Sequence, residues 1–209
     1  MKKIEPYNSI SQANKMLDNG GRFYNVLTKP QDGEITSAEL GKVAGLFNDK
    51  QKMVLFLELA ISKLSDNYRK EVISSLTIDL QEIYKGYKPL YLTLAEANNQ
   101  VDLSKNVIVT GIPKLIDSKS DFNGFIMIPI MVGKVMTFTL IPIIDEYDVY
   151  EITDKQTSNT ILIAHARGKQ KLPKNRVVVA GIMKELKKSE NEEKASKKFL
   201  EVSYYMDSE

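Results

Sequence analysis

The chain has 209 residues, a formal net charge of +2 and 43% hydrophobic residues, enough apolar surface for a packed core and too much for a disordered chain. It has no cysteine and one histidine, His165. Disulfides, thiolate metal sites, a cysteine nucleophile and sites needing two imidazoles from one chain are therefore excluded.

The start, Met1-Lys2-Lys3-Ile4-Glu5-Pro6-Tyr7, is charged, then broken by proline, with no apolar run behind it. That pattern is not a signal peptide, and a cytoplasmic location is expected. From Ser9 to about Asn98 the apolar residues recur at helical spacing. Ser9 can cap a first helix through Ala13, Met16 and Leu17, stopped at Gly20-Gly21. A short apolar piece, Phe23 to Leu27, precedes a turn signal at Pro30-Gln31-Asp32-Gly33. Thr36 with Glu39 three residues on is a capping-box pattern that opens a second helix. The segment from Lys50 to Leu64 is apolar all round and is expected at the centre of the helical part. Ser65-Asp66 caps a helix through Leu76, Thr77 to Tyr87 forms another, and Thr93 to Asn98 adds a turn. Residues 98–106 are polar and read as a linker.

At Asn106 the period changes from 3.6 to 2. Strands are expected at 107–112, 125–132, 135–144, 147–153, 160–167, 176–186 and 199–206. Between them lie a polar loop at 117–123, a turn at 154–159, a basic loop at 168–175 and a charged loop at 187–198. Residues 125–144 carry one charge, Lys134, in 20 positions. Gly133-Lys134 at the centre, Pro129, Pro142 and many β-branched residues make this a hairpin rather than a transmembrane helix. Both its faces are apolar, so it is expected to be buried on both sides, as the joint between the two halves or in a partner.

The strands outside that hairpin resemble an OB-fold of the type found in small bacterial OB proteins and anticodon-binding-like domains, over about residues 105–206. Val107-Ile108-Val109-Thr110-Gly111 is similar to the opening strand with its bend glycine. Tyr147 to Asp154 is similar to the second strand and its turn, and Ile161-Leu162-Ile163-Ala164 to the third. Val177-Val178-Val179-Ala180-Gly181 is similar to the fourth, and Phe199-Leu200-Glu201-Val202 to the last. The chain departs from the pattern twice: a short basic loop replaces the helix often found between third and fourth strands, and the hairpin is an addition between first and second. A second resemblance lies at residues 28–39, where Asp32-Gly33-Glu34-Ile35-Thr36 and Glu39 resemble the later part of an EF-hand calcium loop. It would place calcium on Asp32, Glu34 and Glu39, although Thr28 and Pro30 stand where that loop needs its first ligands.

From Ala164 to Lys188 eight basic residues face one acid, Glu185. Arg167, Lys169, Lys171, Lys174 and Arg176 are the candidate phosphate contacts, with Tyr150 as a stacking aromatic. Against this, acids follow at Glu190, Glu192 and Glu193, and aromatics do not interleave with the lysines, so a solvated strand edge is the simpler account of the run. By alternation His165 shares a strand face with Ile161, Ile163 and Arg167, and it has no nucleophile or carboxylate partner in a recognisable motif.

The expected fold class is α+β: an N-terminal helical bundle (1–98) and a C-terminal OB-like β-barrel (106–209) with an inserted apolar hairpin. The expected function is a non-enzymatic binding module for single-stranded nucleic acid or another anionic ligand. The alternatives are a protein-interaction or scaffold component docking through the hairpin or a helical face, and a calcium-responsive regulator. No other cofactor is expected, and the oligomeric state is left open.

Overall fold

The computed structural model describes residues 1–23, 26–99, 101–116, 125–132, 135–142, 147–154, 159–167, 170–186 and 197–208. The expected loop at 117–123, the turn at Gly133-Lys134, most of the turn at 154–159 and the acidic run at 190–193 lie outside these residues. So do Lys169 and the side chains of the hairpin, and with them the burial expected for 125–144.

In chain order the elements are β1 (Lys2–Lys3), α1 (Ile10–Leu17), β2 (Asn19–Phe23), β3 (Val26–Pro30), α2 (Ser37–Ala44), α3 (Lys50–Ala60), α4 (Asp66–Ser74) and α5 (Ile78–Tyr87). There follow β4 (Leu90–Tyr91), α6 (Leu94–Asn99), β5 (Asn106–Leu115), β6 (Phe125–Val132), β7 (Val135–Pro142), β8 (Tyr147–Thr153), β9 (Thr160–Ala166), β10 (Val177–Leu186) and β11 (Lys197–Asp207). They fall into two compact units. One holds Lys3–Leu90 with Tyr204–Met206; the other holds Met1–Lys2, Tyr91–Ser203 and Asp207–Glu209.

The first unit is mixed rather than purely helical. Helices α1, α2 and α3 begin where the sequence offers an oxygen to a free backbone N–H. Ser9 Oγ accepts from Gln12 N at 3.2 Å, Asp49 Oδ1 from Lys52 N at 3.0 Å, and Thr36 and Glu39 form the full capping box. α3 is the core helix, buried from Met53 to Ala60. Phe56 packs edge-on against Tyr204 with ring centroids 6.0 Å apart. Within α3 sits a fully buried acid, Glu58, which accepts from Arg69 at 2.8 Å and from the Tyr84 hydroxyl. The stretch expected as an irregular connection between the first two helices is a β-hairpin, β2–β3, paired from Asn19↔Pro30 to Phe23↔Val26. Gly20 makes this possible. Its φ is +53°, and a Cβ there would stand 2.4 Å from Pro30 N. A parallel bridge, Ile35↔Leu76, adds a second β element.

The second unit is built on the large sheet, with strand order β1-β11-β10-β5-β8-β9 and β4 added on β5. β5 is buried on both faces from Asn106 to Val109. It pairs with β10 up to Val177↔Gly111 and with β8 from Ile112↔Thr153. Gly111 is thus the hand-over point, and a Cβ there would lie 2.7 Å from Thr153 O. A parallel pairing of β11 with β9, Leu200↔Ile163 and Glu201↔Ala164, brings the two ends of the sheet together. A Cβ on Gly181 would stand 2.3 Å from Glu201 O at the neighbouring crossing. The connectivity of β5, β8, β9, β10 and β11 is OB-like. The OB-like β-barrel expected from sequence is corrected to a partly open sheet, because among the described residues two pairs join β11 to β9. β6 and β7 form a separate two-stranded sheet, in register from Phe125↔Pro142 to Val132↔Val135. No helix among the described residues is long and apolar enough to cross a membrane.

Candidate functional site

β9 and β10 are joined by residues 167–176, and here the structure brings together most of the predicted cations. Arg167, Lys171, Lys174 and Arg176 are all exposed. Arg167 Nε stands 3.6 Å from Asp148 Oδ1, and its guanidinium donates to Tyr147 O at 3.4 Å. Arg176 Nη1 stands 3.8 Å from Asp154 Oδ1. Both pairs are long and their arginines are exposed, so each contributes little to stability and the guanidinium can be exchanged to another anion. Lys184, further along the basic run, is 3.4 Å from Glu201 Oε2.

Beneath this segment lies an interior that alternation only half revealed. Cross-strand register sets Asp148 opposite His165, Tyr150 opposite Ile163 and Ile152 opposite Ile161, all on one face of β8–β9. That face is internal: Tyr150, Ile152, Ile161, Ile163 and His165 are each at most 3% exposed. Tyr150, expected as a stacking platform for a base, is therefore not available as one. Its ring stacks on His165, with centroids 5.6 Å apart and planes 26° apart. Its hydroxyl accepts the Leu172 N–H at 3.3 Å. Burial raises the Tyr150 pKa, the Leu172 N–H offsets part of that, and Asp148 adds to it. The His165 pKa is lowered, first by burial. Its Nδ1 lies 2.9 Å from Ala166 O, which opposes the shift, and Asp148 opposes it as well, while the Met1 ammonium adds to it. His165 Nε2 and Asp148 Oδ2 are buried without a hydrogen-bond partner among the described residues.

The EF-hand-like loop has a different organiser from the one expected. Asp32 and Glu34 are exposed, and Asp32 Oδ1 accepts only a local bond from Glu34 N at 3.1 Å. Glu39 is 1% exposed. One of its oxygens accepts from Gly20 N at 2.6 Å and the other from Thr36 N at 3.0 Å and Thr36 Oγ1 at 2.9 Å. The carboxylate that gathers the loop is Asp18. It accepts from Gln31 N at 2.6 Å, Asp32 N at 3.3 Å and Gly33 N at 2.9 Å. Sequence reasoning passed over Asp18 because it reads as the polar end of a helix. No local signal marked it, because the N–H groups that it holds lie 13 to 15 positions further along the chain. Among the described residues no group of three or more His, Asp or Glu side chains is placed to hold a metal ion.

No family model matches the chain, and no curated protein matches it either. Among solved structures it is similar to one described as the N-terminal domain of an archaeal MCM, with 13% identity, 94% of this chain and 91% of that chain covered, and a TM-score of 0.34.

Proposed function

We propose that the OB-like unit is a non-enzymatic binding module whose ligand is single-stranded nucleic acid or another polyanion. The observation that carries this reading is the exposure of Arg167, Lys171, Lys174 and Arg176 on one connection of an OB-like sheet. Sheets of this type lend a face and its loops to oligonucleotides and oligosaccharides, though fold by itself assigns no ligand. With Tyr150 buried, the cations act through phosphate contact rather than base stacking, which favours affinity without sequence preference.

The test is fluorescence anisotropy with labelled single-stranded oligonucleotides across a salt series. Four phosphate contacts give a slope of log K against log[salt] of about −3. The double variant Lys171→Glu with Lys174→Glu is expected to weaken binding and flatten that slope by about 1.4. A wild-type chain with no affinity at low salt would remove the reading.

A second reading, docking of a protein partner on the apolar hairpin, is favoured by the register of β6–β7. The positions of one face are all Ile, Val or Thr, and those of the other are all Phe, Met, Leu or Pro. Pro129 and Pro142 lie three and seven positions from the closing pair Val132↔Val135, so both fall in the same hydrogen-bonding class. A proline on each strand at a position facing an open edge blocks extension of the sheet by another strand. Light scattering on the purified chain discriminates: a clean monomer that binds no apolar dye counts against docking.

A further inference from the structure

On the reading that the cations between β9 and β10 meet a polyanion, we infer that Tyr150 and Leu172 latch residues 170–176 onto the sheet and so set the positions of Lys171 and Lys174. Tyr150 is then a positioning residue, and the ligand never touches it.

The burial pattern points this way. Leu172 is 7% exposed, while Lys171 and Lys174 on either side of it are exposed. One apolar side chain is thus turned inward from a stretch of cations that face solvent. Its backbone N–H is held by Tyr150 Oη at 3.3 Å. Tyr150 is itself fixed, 3% exposed and stacked on a His165 whose Nδ1 is tied to Ala166 O. The connection between β9 and β10 is also held at its two ends. Arg167 reaches Asp148 and Tyr147 O, and Arg176 O accepts from Ser208 N at 3.3 Å. A lysine on a free loop loses rotamer and backbone freedom when it meets a phosphate. A lysine beside a latched residue has already lost the backbone part, so more of each contact appears as affinity.

The experiment compares full-length wild type with Tyr150→Phe, which keeps the ring and its stacking and removes one oxygen. Two readouts are taken. The first is trypsin nicking, followed by mass spectrometry at Lys171 and Lys174. The variant is expected to be cut about threefold to tenfold faster at these sites, the factor that one hydrogen bond represents. The second is oligonucleotide affinity across a salt series. It is expected to fall by a similar factor with the salt slope unchanged, because no charge is lost. Equal nicking of the two proteins at Lys171 and Lys174 would overturn the latch, whatever the chain binds. A wild type that binds no oligonucleotide would remove the polyanion reading and leave nicking to decide the latch. Hydrogen exchange on wild type alone gives an independent check: the Leu172 amide is expected to exchange more slowly than those of Lys171 and Lys174, and an equal rate would overturn the proposal.

Discussion

Two polar clusters in this molecule treat their acids in opposite ways. Around Asp18 and Glu39, every carboxylate oxygen accepts at least one N–H, and most of these donors are backbone groups of a tight loop. Around Asp148 and His165, one carboxylate oxygen and one imidazole nitrogen are buried with no such partner among the described residues. A saturated carboxylate fixes backbone, because each donor it holds would be orphaned without it. An unsaturated cluster keeps polar groups whose balance changes with protonation. The first cluster sits in a loop whose exposed acids suggested a ligand; the second sits under the segment that carries the cations.

The sharpest way to break this contrast is Asp18→Ala. The Asp32 and Gly33 N–H groups lose their acceptor, Gln31 N keeps only the Asp18 backbone carbonyl at 3.2 Å, and a loss of about 2 kcal/mol is expected in urea unfolding. A loss under about 1 kcal/mol would mean that water serves those donors as well.

The next effect belongs to the other cluster and appears in acid. With the folded His165 pKa below its ordinary value of 6.5, the unfolded chain binds more protons between the two values. Stability from this residue is therefore fully present above about pH 6.5 and is lost as pH falls through the folded value, with a slope of at most about 1.4 kcal/mol per pH unit. His165→Gln is expected to flatten that part of the stability profile measured by urea melts from pH 7 to 5. An unchanged profile would place the acid sensitivity elsewhere.

The smallest effect separates exposed from buried acids within one loop. Asp32→Ala and Glu34→Ala are expected to shift stability by no more than about 0.5 kcal/mol. Millimolar calcium is expected to release no heat in calorimetry, because both Glu39 oxygens already accept N–H bonds. A calcium-dependent heat abolished by Glu34→Ala would restore the EF-hand-like reading.

Much of the local structure was legible. Ser9, Thr36 with Glu39, Asp49 and Ser65 begin helices as their side-chain chemistry dictates. The change of period at Asn106 marks the start of β5, and the period-2 pattern places β8, β9, β10 and β11 near their observed bounds. The β2–β3 hairpin was missed because its opening residues, Asn19-Gly20-Gly21, read equally well as a helix stop. The candidate site was half legible. The cations announced themselves by composition, but alternation could not say which face of β8 is internal, so Tyr150 was read as available to a ligand.

Residue chemistry along the chain was sufficient for helix starts, strand positions and a clustered positive charge, because caps, periodicity and composition act over a few residues. Which groups are buried together was decided by tertiary structure alone. Asp18 meets residues 31–33, Tyr150 meets Leu172 and Gly181 meets Glu201 only once distant strands and loops have converged. Desolvation and orphaned hydrogen bonds arise from that convergence, and they have no local signature.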